Sequence, residues 1–393
     1  MLETKYVIWF LDMEEFNWKL TINVNIVMLK VVGLWPEENG SYKLNWYTVY
    51  AICSNMLFQV VHTLTQLINL GFIYDDLQAL TGTSFVLSTE LLTLLKSYYF
   101  VKNMRVLKKL MLMLNDNSFQ PKTPKQKILA EDSLKFWKRI YISLCVTAGG
   151  ALVFWAVFPI FDGSLGEYRL PFLAWYPYDT QSSPLYEITY VYQMISNVFI
   201  CACNLDMDTL IAALNMYTAA QFDFLCDNLR NLESGEGSFD GQFRKCIAHH
   251  RQILSFGKTT NMFYNYIIFL QFFTSALLFG LTLFQLSVIT PWTGEFCSVV
   301  FYGTAVMAEI FLLCWFSNEV LIKSGNVPYA IFESDWTRAP LDVQKNMNIF
   351  VLRCQRPFKI TAMNLFYLSM ETFLKIMRAG WSYFALLQSV SSK

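Results

Sequence analysis

Charge is scarce in this sequence. Charged residues make up 15% of its 393 positions, and they cancel, 30 Lys and Arg against 30 Asp and Glu; an ordinary soluble domain carries about a quarter. So thin and balanced a charge leaves no basic surface for a polyanion, and no nucleic-acid partner is expected. The nine cysteines form no C-x-x-C and no Cys/His metal spacing. Cys201 and Cys203 are the nearest pair, inside an apolar stretch. They read as small buried residues, and neither a metal nor another cofactor is expected. Gly163-Ser164-Leu165-Gly166 is not a nucleophile elbow and no phosphate-binding loop is present, so an enzyme is not expected. A secretory leader is also missing. The apolar run Tyr6 to Leu11 is short, and Asp12, Glu14 and Glu15 stand where a small-residue cleavage site would be, so Met1 is expected to be retained.

What is abundant is apolar sequence, 54% of the chain, gathered into runs long enough for a bilayer. Seven stand out as helices: roughly Trp46 to Leu70, Leu77 to Tyr99, Ile140 to Phe161, Leu185 to Leu214, Met262 to Ile289, Cys297 to Ile322, and a last one starting in an amphipathic stretch near Ala362 and ending near Val390. The expected fold class is an all-α membrane protein with seven transmembrane helices.

The connections differ in basic charge. The first loop, Gly71 to Asp76, holds no Lys or Arg, whereas the second, from Lys96 to Arg139, holds eleven. The third has only Arg169; the fourth has Arg230, Arg244, Lys245, Arg251 and Lys258. The fifth, Thr290 to Phe296, has none; the sixth has Lys323, Arg338, Lys345, Arg353, Arg356 and Lys359. Basic connections stay inside the cell. The N-terminus is therefore expected in the cytoplasm and the C-terminus outside, the reverse of a rhodopsin-like receptor. No DRY follows the third span and no NPxxY lies in the seventh. The outer loops offer Cys297 at most, with no disulfide partner. The acceptor Asn39-Gly40-Ser41 falls on the cytoplasmic side, where it would stay unglycosylated.

Polar residues interrupt the spans in a pattern. Asn55, Gln59, His62 and Gln66 recur at helical spacing on one face of the first. They read as interhelical hydrogen bonding inside a bundle, with a ligand or ion role for His62 as the alternative. Glu90, Asp206, Asp208 and Glu309 are carboxylates within spans, and each should face a partner or water. The fourth helix is expected to continue past the membrane through Gln221 and Leu229 to a break at Ser234-Gly235-Glu236-Gly237; a new helix then starts near Asp240 as its N-cap. His249 and His250 sit on it and diverge by about 100°, which suits packing better than metal binding.

The seventh helix carries Glu371, Lys375 and Arg378 on one face, with Glu371 and Lys375 in the favourable order for an ion pair. The apolar stretch after Arg378 is only about a dozen residues, about 18 Å of helix against a bilayer core of about 30 Å. Two readings stay open on these residues alone: a water-lined conduit closed by an apolar constriction, or an interfacial helix whose cations snorkel to headgroups.

Phe311-Leu312-Leu313-Cys314-Trp315-Phe316-Ser317-Asn318-Glu319 of the sixth span resembles the F-x-x-C-x-x-G-N/E-x signature of the insect odorant receptor family, with Ser317 where Gly is common. Tyr329 to Trp336, Cys354-Gln355-Arg356-Pro357, Phe366 to Phe373, Leu374-Lys375 and Ser382-Tyr383-Phe384-Ala385-Leu386-Leu387-Gln388 follow the same run. The specific part covers about the last 80 residues; the rest agrees in topology, loop-length pattern and the Leu-x-x-Asp of the fourth span.

The resemblance implies a tetrameric ligand-gated nonselective cation channel passing monovalent cations and calcium. A short connection between the fourth and fifth spans is similar to tuning subunits, which assemble in a heterotetramer with a shared co-receptor. The implied division is a cytoplasmic segment 1–45, helices one to six with an odorant pocket over 46–322, a cytoplasmic intersubunit anchor over 323–361 and a pore-lining helix over 362–393. The implied gate is Leu386, with Ser389 and Val390 on the next pore-facing turn and Glu371, Lys375 and Arg378 in the vestibule. A pocket for a small volatile organic odorant is expected in the outer half of the membrane. Its expected lining is Ser84 and Phe85, then Ala148, Ala151 and Trp155, then Tyr190, Met194, Asn197 and Val198, then Tyr302 and Val306. The implied location is the dendritic plasma membrane of an olfactory neuron. A gustatory-type channel without a co-receptor remains the alternative. A G-protein-coupled receptor lacks its motifs, and a secondary transporter lacks an inverted repeat with broken helices.

Overall fold

The computed structural model describes residues 16–36, 45–161, 168–232 and 239–391. Met1, the Asn39 acceptor, the Gly163–Gly166 segment and the Ser234–Gly237 segment lie outside them. The described chain is helical apart from one small hairpin. In chain order the elements are α1 (Lys19–Val31), α2 (Trp46–Leu70), α3 (Leu77–Lys102), α4 (Met104–Met113), α5 (Pro124–Phe161), α6 (Leu185–Arg230), α7 (Phe239–Val288), α8 (Gly294–Gly325), α9 (Val327–Phe332), α10 (Leu341–Cys354), β1 (Thr361–Ala362), β2 (Phe366–Tyr367) and α11 (Met370–Ser391).

Helices α2, α3, α5, α6, α7, α8 and α11 correspond to the seven expected spans, several of them running well past the bilayer length. Five are long and apolar enough to cross a membrane on composition alone. The other two, α3 and α11, hold the charged residues Glu90, Lys96, Glu371, Lys375 and Arg378. In α3 these charges are met by protein, Glu90 by Gln66 of α2 and Lys96 by Asp208 of α6; in α11, which packs on α7 and α8, they lie on the exposed side. The molecule is an all-α membrane protein.

Helix α6 is the central column. Every residue from Cys203 to Phe222 is buried, as expected of a helix contacted on all sides. It packs against α1, α5, α7, α8 and α9. α1 is tied to it by the Asn25 amide, which donates to Thr209 Oγ1 at 2.6 Å and Asp206 Oδ1 at 3.2 Å. Tyr217 adds a bond to the Trp18 carbonyl at 2.9 Å.

The structure corrects three expectations about the elements. The last helix does not begin near Ala362. Met363 and Asn364 have positive φ, 49° and 58°, which reverses the chain between β1 and β2. Asn261 of α7 holds that hairpin, accepting from the Thr361 N–H at 3.1 Å and donating to its hydroxyl at 3.1 Å. α11 starts only at Met370, where Ser369 Oγ accepts the Thr372 N–H at 3.3 Å as a cap. Second, Lys96 is not a loop cation; it is buried inside α3. The ten remaining basic residues of that connection leave the charge asymmetry intact. Third, Asp240 lies in the first turn of α7 and accepts from Arg244 at 2.8 Å; the position before Phe239 is outside the described residues.

Candidate ligand cavity and bare helix face

The polar residues inside the spans find one another. On α2 the chain widens into a π turn at Met56–Val61, and the stripe still points inward. Gln59 donates to Ser97 Oγ at 3.2 Å, and Gln66 donates to Glu90 Oε1 at 2.6 Å. His62 Nε2 lies 3.1 Å from the Asn197 amide nitrogen and 3.4 Å from Glu90. A second cluster centres on Lys96, whose ammonium donates to both Asp208 oxygens at 2.8 Å and to Asn204 Oδ1 at 2.7 Å. The Asn204 amide in turn donates to both oxygens of Glu309 at 2.9 Å, and Gln271 donates to Asp208 Oδ2 at 2.6 Å. Asp206 accepts from Tyr141 at 3.1 Å. All four carboxylates therefore meet protein partners, as their cost in a membrane requires.

Above this layer α3, α5, α6 and α8 enclose a narrow cavity of about 80 Å³. A wider one of about 280 Å³ adjoins it toward the end where α3 begins, reaching Asp76, Arg169 and Glu295. Val86 and Trp155 line both, so the two are separated by little more than these side chains. Trp155 belongs to an aromatic cluster, with ring centroids 5.6 Å from Tyr302, 5.3 Å from Phe172 and 6.3 Å from Phe85. The Thr89 and Tyr302 hydroxyls share a hydrogen bond, and Tyr302 also reaches the Phe85 carbonyl at 3.1 Å.

Of the residues expected from sequence, Ala148, Ala151, Trp155, Asn197, Tyr302 and Val306 line the inner cavity, and Phe85 lines the outer one. Ser84, Tyr190, Met194 and Val198 line neither. Tyr190 instead ties α6 to α5 through the Ala156 carbonyl at 2.6 Å, and Val198 is exposed on the outer surface of the bundle. The cavity reaches one to two helical turns deeper than the sequence suggests. Thr89, Glu90, Ile200, Cys201, Asn204, Ala305 and Glu309 join it. Continuing each face inward at i+3, i+4 and i+7 from Phe85, Val86, Asn197, Tyr302 and Val306 reaches them.

Helix α11 has two unlike faces. Ile376 and Gly380 are buried, and Phe373, Met377, Phe384 and Leu387 are half-buried against α7 and α8. The opposite face, with Glu371, Lys375, Arg378, Ser382, Leu386 and Ser389, is exposed, and Val390 lies at its edge, also exposed. Lys375 and Glu371 form an ion pair at 2.7 Å, and Tyr367 donates to Glu371 at 3.2 Å. A charged and then apolar face thus lies bare along the whole helix in a single chain.

A seven-helix membrane protein with a cavity between four spans and a last helix bare on one side is a receptor-like class rather than an enzyme. The family model described as 7tm Odorant receptor matches residues 76–380. This chain belongs to that family, the insect odorant receptors. It is 24% identical to the odorant receptor Or1 of Anopheles gambiae, over 94% of this chain and 95% of that one. It is 23% identical to odorant receptor 46a, isoform A, of Drosophila melanogaster, over 93% and 96%. The solved olfactory receptor OR5 of Machilis hrabei, in complex with eugenol, shares its fold with a TM-score of 0.83 at 20% identity, covering 94% of this chain and 97% of that one.

Proposed function

We propose that this chain is the odorant-binding subunit of a ligand-gated nonselective cation channel, assembled as a heterotetramer with a co-receptor in the plasma membrane of olfactory neuron dendrites. The observation that carries the reading is the bare face of α11. A helix with charged residues along one exposed side is costly against lipid and stable beside water or other subunits. Four such faces around an axis make a conduit, with Glu371, Lys375 and Arg378 in the inner vestibule and Leu386, Ser389 and Val390 at the constriction, through which monovalent cations and calcium pass. The cavity of Ala148, Ala151, Trp155, Asn197, Tyr302 and Val306 supplies the odorant site. Segments α9 and α10, with the inner extensions of α6 and α7, supply the intersubunit anchor.

Ligand energy reaches the pore through α8, which lines the cavity at Tyr302, Val306 and Glu309 and, on its continuation, sets Phe311 against Phe373 of α11 at 5.5 Å between ring centroids. A volatile compound that repacks this segment shifts α8 against α11 and with it the ring of Leu386. The test is whole-cell current in cells expressing this chain with and without a co-receptor, against an odorant panel. Odorant-evoked cation current that requires both chains is expected. Currents absent at normal surface expression of both subunits would remove the channel reading.

A further inference from the structure

The cavity's polar atoms are unevenly divided between acceptors and donors. Glu90 on α3 and Glu309 on α8 enter its wall from two different helices. Among the described residues Glu309 is met by a single amide nitrogen, that of Asn204, shared between its two oxygens. Glu90 is 1% exposed; its Oε1 accepts from Gln66, while its Oε2 is buried and has no partner among the described residues. The amide and hydroxyl donors lining the cavity, and Lys96 beside it, are committed to other partners. Lys96 is spent on Asp208 and Asn204, the Asn197 amide is directed to His62 and the Gln193 carbonyl, and the Tyr302 hydroxyl is shared between Thr89 and the Phe85 carbonyl. A buried acceptor without a donor is costly and uncommon in a folded protein. The rest of the wall, with Ala148, Ala151, Leu152, Ile200 and Val306, is apolar.

We propose that this cavity takes a small, largely apolar ligand with one hydrogen-bond-donating end, a hydroxyl or an N–H group, and that Glu90 Oε2, with Glu309 across the cavity, receives it. The proposal rests on the reading of this cavity as the odorant site. An ether, ester or ketone of equal size would bring a second lone pair toward a carboxylate oxygen and leave Oε2 unpaired. A site built around a hydrogen bond discriminates strongly against the analogue that lacks it. The donor can be a neutral hydroxyl or an ammonium group.

The test uses the full chain in lipid nanodiscs and reads binding by thermal shift, with benzyl alcohol and benzylamine against benzyl methyl ether. The two donors should bind at concentrations about 10-fold or more below the ether, the discrimination expected of a charge-assisted hydrogen bond. Either donor binding more tightly than the other supports the proposal and separates a neutral from a cationic ligand end. Glu90→Gln, nearly isosteric, should shrink the donor preference several-fold; Glu309→Gln serves as the second variant if the first melts early. An ether that binds as well as the donors overturns the proposal. So does an undiminished preference in both variants, or no binding of any of the three at millimolar concentration. Currents are recorded separately: donor binding without gating removes the channel reading and leaves the ligand class standing, whereas gating with no donor preference does the reverse.

Discussion

At the scale of single residues, the interior of the bundle separates into an apolar recess and an ionic floor, and each makes its own prediction. Ala151 lies in the cavity wall on the same face of α5 as Ala148 and Trp155, and the space beside it is small. Ala151→Phe should fill that space and raise the half-activating odorant concentration about 10-fold or more, the scale at which misfit in an apolar pocket discriminates, with surface expression near the parent's. Dose–response curves normalised to surface labelling check this; an unchanged potency and selectivity would take α5 out of the site. The floor behaves differently. Lys96 and Asp208 are both fully buried, so removing one partner leaves a charge without compensation. Lys96→Met should destabilise the fold by about 3–5 kcal/mol and deplete the protein from the cell surface. Lys96→Met with Asp208→Asn should recover much of it. A double variant no better than the single would mean the pair is not the stabilising unit.

At the scale of elements, the crossing of α7 and α11 decides how the bare face is presented. A Cβ at Gly280 would lie 2.7 Å from Tyr383 Cβ, and one at Gly380 would lie 2.9 Å from the Ala276 carbonyl oxygen. The two glycines let the backbones approach closely, as small residues do where membrane helices cross. Gly380→Val should therefore push α11 off α7, lowering surface expression or leaving a channel with altered gating; near-normal expression and currents would show that the crossing is looser than it stands. On the far side of α11, Leu386→Ser removes apolar surface from the proposed constriction and should raise basal current or alter ion selectivity, because dry apolar rings block ions by resisting wetting. Leu387 is half-buried against the bundle, so Leu387→Ser should reduce expression more than it changes conduction. Leu386 variants with parental basal current, block and selectivity would exclude it from the gate. These two faces were legible in the sequence because Glu371, Lys375 and Arg378 repeat at helical spacing. The start of α11 was not, because Met363 and Asn364 take a left-handed turn that only contacts with Asn261 and Asn265 of α7 make favourable. Likewise, the α5 wall of the cavity followed from Ala148 and Ala151 sharing a helical face with Trp155. Its floor did not, since Glu90 and Glu309 read equally well as bundle-locking carboxylates until the unpaired Oε2 of Glu90 is seen.

At the scale of the whole molecule, α6 and α7 run beyond the bilayer length and join α9, α10 and the Phe119 segment in a packed block at the basic-loop end. Loop charge made that block foreseeable, but not its packing, which depends on pairs a hundred or more residues apart, such as Lys323 with Asp223 at 2.7 Å and Arg230 with Glu333. His249 and His250 lie within it. Gln221 donates to the Phe119 carbonyl at 2.8 Å, which turns its oxygen toward His249 Nε2 at 3.0 Å, so that nitrogen carries the hydrogen. His250 sits edge-on to Phe350 and Phe222, with Cys354 Sγ 3.9 Å from Nε2. Burial lowers both histidines from the usual 6.5 to about 4, helped by Lys122 beside His249 and Arg353 beside His250. Between those values the unfolded chain takes up protons that the folded one does not, so stability is complete above about pH 6.5 and is lost as pH falls through 4. Asp223 opposes this, since burial raises its carboxyl and low pH relieves the cost of its charge. The melting temperature of the channel in nanodiscs should therefore fall from pH 7.5 to pH 4.5. The variant with His249→Gln and His250→Gln has no proton to take up there and should lose less over the same interval, even from a lower starting point. Equal losses in parent and variant would place the acid sensitivity outside these histidines, and the inner block would then be held by its ion pairs rather than by two neutral imidazoles.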